Sequence, residues 1–159
     1  CIAVAAEWPE CEMAATELSA AALEVARENA NRILGPQPGI SFVQGDLYEG
    51  VDGVFDIVCS NPPYISESEY ATLAREVTLY EPREALVAGP GGTEFHRRIA
   101  EGAREHLQPG GWLLMEMGAE QRAALTEILG QTGLFGGVRF RADLAGLDRV
   151  VIAQRKKLL

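Results

Sequence analysis

The stretch DIVCSNPPYISESEY, Asp56 to Tyr70, runs an apolar strand directly into Ser60-Asn61-Pro62-Pro63-Tyr64. Two successive prolines remove two backbone donors and stiffen the chain where a sheet or helix would use hydrogen bonds. That is costly for folding, so the segment points to a role other than folding. Its surroundings indicate which.

Upstream, VFDIVCS (Val54 to Ser60) and ISFVQGD (Ile40 to Asp46) read as strands, and EMAATELS as a strand ending near Glu17. CIAVAAEW at the start reads as a short helix. Ser19 is a helix cap, after which Leu23, Ala26, Ala30, Ile33 and Leu34 share one face until Gly35 and Pro36 stop the helix.

Downstream, residues 66–77 read as helix with Ser66 or Ser68 as cap, and REALVAGPGG as a β-rich loop. Thr93 caps a helix through Leu107 with Phe95, Ile99 and Leu107 inward. GGWLLMEMG is strand-like, and residues 119–132 form a helix with Leu125, Ile128 and Leu129 inward. GGVRFRADLAG and DRVVIAQR are two strands joined without a helix. The pattern predicts one α/β domain over residues 1–159, its sheet mostly parallel with an antiparallel C-terminal edge.

The bulk numbers limit the function classes. A chain of 159 residues, 47% apolar and 23% charged, can bury a core as one domain. No apolar run approaches the roughly 20 residues of a membrane span. The formal charge of −9 argues against a domain that grips a nucleic-acid backbone. The terminal QRKKLL is short and reads as a solvated tail. Cys1, Cys11 and Cys59 have no metal-like spacing and read as reduced thiols of a cytoplasmic protein. His96 and His106 read as surface residues, so no metal site is indicated.

In an open parallel sheet, ligands gather at the carboxyl ends of the strands. Glu17, Asp46 and Asn61 fall there, and 46 − 17 = 29 residues is about one strand-helix-strand unit. An ionised carboxylate only accepts, and its two oxygens suit a ribose diol or an adenine amino group. Such a residue also serves as a helix cap or turn residue. The Pro-Pro segment is more specific. It offers the carbonyls of Asn61 and Pro62 without competing N–H groups, beside the Asn61 carboxamide and the Tyr64 ring. That arrangement suits a planar –NH2 group, its hydrogens on acceptors and its face on the ring. The bland reading is a proline turn with Asn61 as an Asx-turn.

SNPPYI after a strand, with TELS and GDLY before it, resembles the class I S-adenosylmethionine-dependent methyltransferases that methylate planar nitrogens. YEPREALVAGPGG, TEFHRRI, LQPGGWLLMEMG and DLAGLDRVVIAQR resemble one branch, the release-factor glutamine methyltransferases, along essentially the whole chain. The resemblance implies a Rossmann-like fold and S-adenosyl-L-methionine as cofactor. It further implies a peptide-chain release factor as protein substrate, methylated on the glutamine of its Gly-Gly-Gln loop. Glu17, with Leu18 beside it, would hold the cofactor's ribose, although this branch more often has Asp there. Asp46 and Leu47 would bracket the adenine. Asn61, Pro62, Pro63 and Tyr64 would bind the substrate amide, Asn61 also lying near the cofactor's methionine end. Alternatives are an N-methyltransferase acting on an exocyclic amine of adenine or guanine, and a non-catalytic fragment.

One departure accompanies the resemblance. The family's first strand and glycine-rich turn are absent from the 159 residues, and Cys1 is not an initiator methionine, so the catalytic domain is expected to be N-terminally incomplete. Without that strand, its two neighbours would carry unpaired backbone edges. Residues 1–159 by themselves are therefore expected to bind S-adenosylmethionine weakly or not at all. Calorimetry that found micromolar binding would overturn this.

Overall fold

Parallel pairing of two short strands organises the beginning of the chain. In the computed structural model, which describes residues 1–36 and 39–157, β1 (Met13–Glu17) pairs with β2 (Ile40–Gln44). Helix α1 (Ile2–Glu7) precedes β1, and α2 (Ala20–Leu34) is the crossover. The register sets Glu17 opposite Gln44, so the two carboxyl ends lie side by side. Ser19 caps α2 by accepting from the Ala22 N–H at 3.3 Å. Leu23 and Ala30 are buried, whereas Ile33 is 57% exposed. At about 100° per residue, Ile33 lies some 80° from Leu23, at the margin of the apolar stripe. The second strand ends at Gln44, two residues earlier than expected, leaving Asp46 in the turn that follows.

These elements form one compact unit, Cys1–Gly53, and Val54–Leu159 forms another. The second opens with β3 (Phe55–Ser60), β4 (Ile65–Ser66), α3 (Glu67–Tyr70), α4 (Arg75–Tyr80) and α5 (Arg83–Leu86). It continues with β5 (Val87–Gly89), α6 (Glu94–His106), β6 (Leu107–Glu116), α7 (Arg122–Gln131), β7 (Phe135–Ala142) and β8 (Asp148–Arg155). A four-stranded sheet runs β3-β6-β8-β7, its first pair parallel and the other two antiparallel, while β4 and β5 form a small parallel pair. The neighbours β1 and β2 are parallel as well. The expected mostly parallel α/β architecture with an antiparallel C-terminal edge is therefore present.

Helices α6 and α7 pack on each other and on the sheet. Ile99, Ala100 and Ala103 of α6, Leu125, Ile128 and Leu129 of α7, and Leu113, Met115, Val151 and Ala153 of the strands are all buried. Each large aliphatic side chain buried in this way contributes roughly 1.5–3 kcal/mol.

Local departures from the sequence reading have physical causes. The expected helix 66–77 breaks, because Thr72 and Leu73 bond back three residues, to Glu69 and Tyr70, and tighten the turn. Helical turn α5 and strand β5 replace the expected β-rich loop over 83–92. Thr93 makes no side-chain cap for α6; the Glu94 carboxylate takes the N–H groups of Gly91 and Thr93 at 2.7 and 2.9 Å instead. Strand β3 stands at an edge of its sheet and leaves Ile57 50% exposed, although its apolar run suggests burial. Of the terminal QRKKLL, Gln154 and Arg155 belong to β8, and Leu158 and Leu159 lie outside the described residues. Among the described residues the three cysteines are free thiols, and no helix is long and apolar enough to cross a membrane.

His96 overturns its expected surface placement. It shares the stripe of Ile99, Ala100 and Ala103, is fully buried, and its Nε2 lies 2.7 Å from the Glu116 carbonyl oxygen. Burial holds the imidazole's pKa below the usual value, outweighing the upward effect of that bond. The neutral ring thus donates from Nε2. A depressed folded-state pKa means that the unfolded chain takes up a proton the folded chain refuses. Stability therefore falls as pH drops below the unfolded value of about 6.5. Urea midpoints measured from pH 7.5 to 5.5 should decline, this group contributing no more than about 1.4 kcal/mol per pH unit. The decline should shrink in His96→Gln; an equal decline in the variant would contradict a buried neutral histidine.

Candidate functional site

In the first unit, the candidate residues follow the two strand ends. The Glu17 carboxylate takes the Ser19 N–H at 2.8 Å, and the Glu17 carbonyl takes the Gly45 N–H at 3.1 Å, which ties the two carboxyl ends together. The Gln44 amide donates to the Leu18 carbonyl at 3.4 Å. Asp46 opens a turn in which its N–H meets the Glu49 carboxylate at 3.2 Å and its carbonyl takes the Glu49 N–H at 3.1 Å. A Cβ at Gly45 would lie 2.3 Å from the Glu49 carbonyl oxygen, so this turn admits only glycine there. Leu47, at φ 56°, is the one non-glycine residue in the left-handed region among the described residues. A leucine held there is strained, and such strain concentrates at ligand-contacting turns. Glu17, Leu18, Asp46 and Leu47 are thus brought together.

In the second unit, the Asn61–Tyr64 loop leaves β3 and enters β4. The Asn61 side chain is exposed, Pro62 is buried, and Pro63 and Tyr64 are half-buried. Among the described residues, neither the Asn61 nor the Pro62 carbonyl receives a backbone N–H. The loop is gripped at its far end. The Tyr64 hydroxyl donates to Glu116 Oε1 at 3.1 Å, and the Tyr64 carbonyl accepts from Gln121 Nε2 at 2.9 Å. Burial and then the adjacent Glu116 carboxylate raise the Tyr64 pKa above its ordinary value, so the phenol remains protonated and able to donate. Ser66 and Glu69 close a capping box directly after the loop: each backbone N–H meets the other's side chain, at 2.8 and 3.2 Å.

Glu116, Gln121 and Gly92 escaped the sequence reading. They sit in MEMGAEQ and GPGGTEFH, stretches that it read as a strand with the start of a helix, as a turn with a helix cap, and as parts of the blocks carrying the resemblance, with no role for these three residues. The available signal was polar residues just past a buried strand.

The chain belongs to the methyltransferase small domain family, whose model matches residues 1–93. More particularly, it is 45% identical over 156 residues to the release factor glutamine methyltransferase of Cereibacter sphaeroides, covering 97% of this chain and 55% of that protein. It is 43% identical over 163 residues to the protein of the same name from Nitratidesulfovibrio vulgaris, covering 99% and 55%. The chain spans about half the length of the curated relatives it matches. Its fold matches the crystal structure of a methyltransferase from Pyrococcus furiosus, with a TM-score of 0.68 at 24% identity, over 98% of this chain and 68% of that one.

Gly92 provides a direct test of the second unit's loop. Its φ is +75°, and a Cβ there would lie 2.9 Å from the Tyr64 carbonyl oxygen and 3.1 Å from Gln121 Nε2. Gly92→Ala should therefore lower stability by about 1–3 kcal/mol, read as a shifted urea midpoint. Gly137→Ala, which meets nothing within 4 Å, is the control.

Proposed function

We propose that the protein containing this chain transfers a methyl group from S-adenosylmethionine to the side-chain amide nitrogen of the glutamine in the Gly-Gly-Gln loop of a peptide-chain release factor. Residues 1–159 would be part of its catalytic domain, acting in the cytoplasm. The observation that carries this reading is the 45% identity to a release factor glutamine methyltransferase along 97% of the chain.

The residues of the first unit fit the cofactor. Glu17 at the end of β1 and Asp46 in the turn after β2 carry carboxylates, acceptors for ribose hydroxyls and an adenine amino group, and Leu47 would add an apolar contact. Glu17 and Leu18 would hold the ribose side, Asp46 and Leu47 the adenine. When bound, the cofactor supplies a sulfonium-activated methyl group with a good leaving group.

The second unit supports the acceptor side. Asn61 and Pro62 present carbonyls, Asn61 presents its carboxamide, and Tyr64 presents a ring face. Together they would hold both hydrogens of a flat primary amide. An amide nitrogen is a poor nucleophile, so fixing its hydrogens aims the nitrogen and removes much of the entropic barrier. Pro62 and Pro63 contribute by what they lack: neither can donate a bond that would occupy those carbonyls.

Full-length protein incubated with tritiated cofactor should label a release factor and leave DNA and RNA unlabelled; label in nucleic acid alone would overturn the proposal. Asp46→Lys should abolish cofactor binding by calorimetry. Asn61→Ala should lower kcat about 100-fold while cofactor affinity stays within about threefold.

A further inference from the structure

The geometry points to Gln121 and Glu116 as positioning residues for the Asn61–Tyr64 loop, Gln121 fixing its backbone and Glu116 its aromatic ring. This inference rests on the reading that the loop receives the acceptor amide.

Gln121 uses every face of its carboxamide. Nε2 donates to the carbonyls of Tyr64 and Gly92, each at 2.9 Å, and Oε1 accepts from the Gly118 N–H at 2.9 Å. Turning the amide over would set oxygen against two carbonyls and nitrogen against an N–H, so one orientation is selected. Its location adds to the case. Gln121 is the N-cap residue of α7, where a polar side chain ordinarily bonds its own helix, yet it makes no such cap bond. It reaches across to a loop 57 residues away in the sequence.

Glu116 is held from a second direction. Its carboxylate accepts from the Tyr64 hydroxyl at 3.1 Å, and its own carbonyl is fixed by the fully buried His96 at 2.7 Å. Tyr64 is therefore tied at its backbone and at its phenol. At the other end of the loop, Ser60 is in register with Met115 on β6. Between these anchors Pro62 and Pro63 have φ locked near −65°. Few torsions remain free, so the Asn61 and Pro62 carbonyls inherit their directions from Ser60 and Tyr64. Release of Tyr64 would loosen the acceptors while the buried Leu125, Ile128 and Leu129 of α7 stay in place.

The test uses the full-length protein, with tritiated S-adenosylmethionine and a release factor as probes. Gln121→Ala should lower kcat about 10- to 100-fold with cofactor affinity within about threefold. Glu116→Ala should lower kcat about tenfold, and Glu116→Gln, which keeps an acceptor for the phenol, should restore it to within about threefold. Hydrogen exchange over residues 61–66, a readout independent of the substrate, should quicken about tenfold in Gln121→Ala and stay unchanged over 122–131 and 148–155. Unchanged exchange at 61–66 would overturn the inference, as would faster exchange with unaltered kcat. Exchange that rises throughout the protein, or cofactor affinity that falls in step with kcat, would reduce both residues to structural roles and overturn it too. If the wild type fails to methylate the release factor while the local exchange effect appears, the substrate reading falls and the loop-holding role stands.

Discussion

Three hydrogen bonds on one carboxamide fix the second unit's loop. Gln121 joins the Tyr64 and Gly92 carbonyls and the Gly118 N–H, three backbone groups from three separate turns. A buried polar group left without a partner costs more than a bond contributes when made, so losing this carboxamide is felt at all three turns. The loop, the turn before α6 and the turn before α7 are therefore mutually dependent. Gly92 follows from this constraint, because only a residue without Cβ lets its carbonyl and that of Tyr64 converge on one nitrogen.

Around that node, the polar groups are arranged in a relay of fixed orientations. Buried neutral His96 holds the Glu116 backbone, and the Glu116 carboxylate holds the Tyr64 phenol, whose raised pKa keeps it a donor. Glu94 stabilises the neighbouring turn. Burial pushes its carboxyl up, but N–H donors from Gly91, Glu94, Thr93 and Gly92 outweigh this and hold it below the usual range. The first unit follows a different principle. There the parallel register sets two strand ends side by side, and the turn after β2 is tight enough to require Gly45 and to place Leu47 in the left-handed region.

Much of the architecture was legible because its signals are local. The apolar period of α7, the Ser19 cap and the alternation of strands with helices each lie within a dozen residues of chain. The reading failed where polarity alone was used to judge exposure. His96 reads as a surface residue because its stretch is charged and helix-like, although its spacing to Ile99, Ala100 and Ala103 puts it on the inward stripe. Thr93 was assigned a cap by residue type, but the neighbouring Glu94 carboxylate reaches the same turn's N–H groups and holds them.

The sequence by itself determined that Pro62 and Pro63 cannot donate, since an imino acid has no N–H; that no other backbone N–H reaches the Asn61 and Pro62 carbonyls among the described residues was decided by the fold. It also determined that Glu17 ends a strand, whereas Asp46, expected at the end of the second, lies in the turn beyond Gln44. What holds Tyr64 was decided only by the tertiary structure. Glu116 and Gln121 lie 52 and 57 residues from it, and nothing in local propensity links residues so far apart. Their pairing exists because β6 lies beside β3 and α7 starts just beyond the end of β6, an arrangement set by packing of the whole unit.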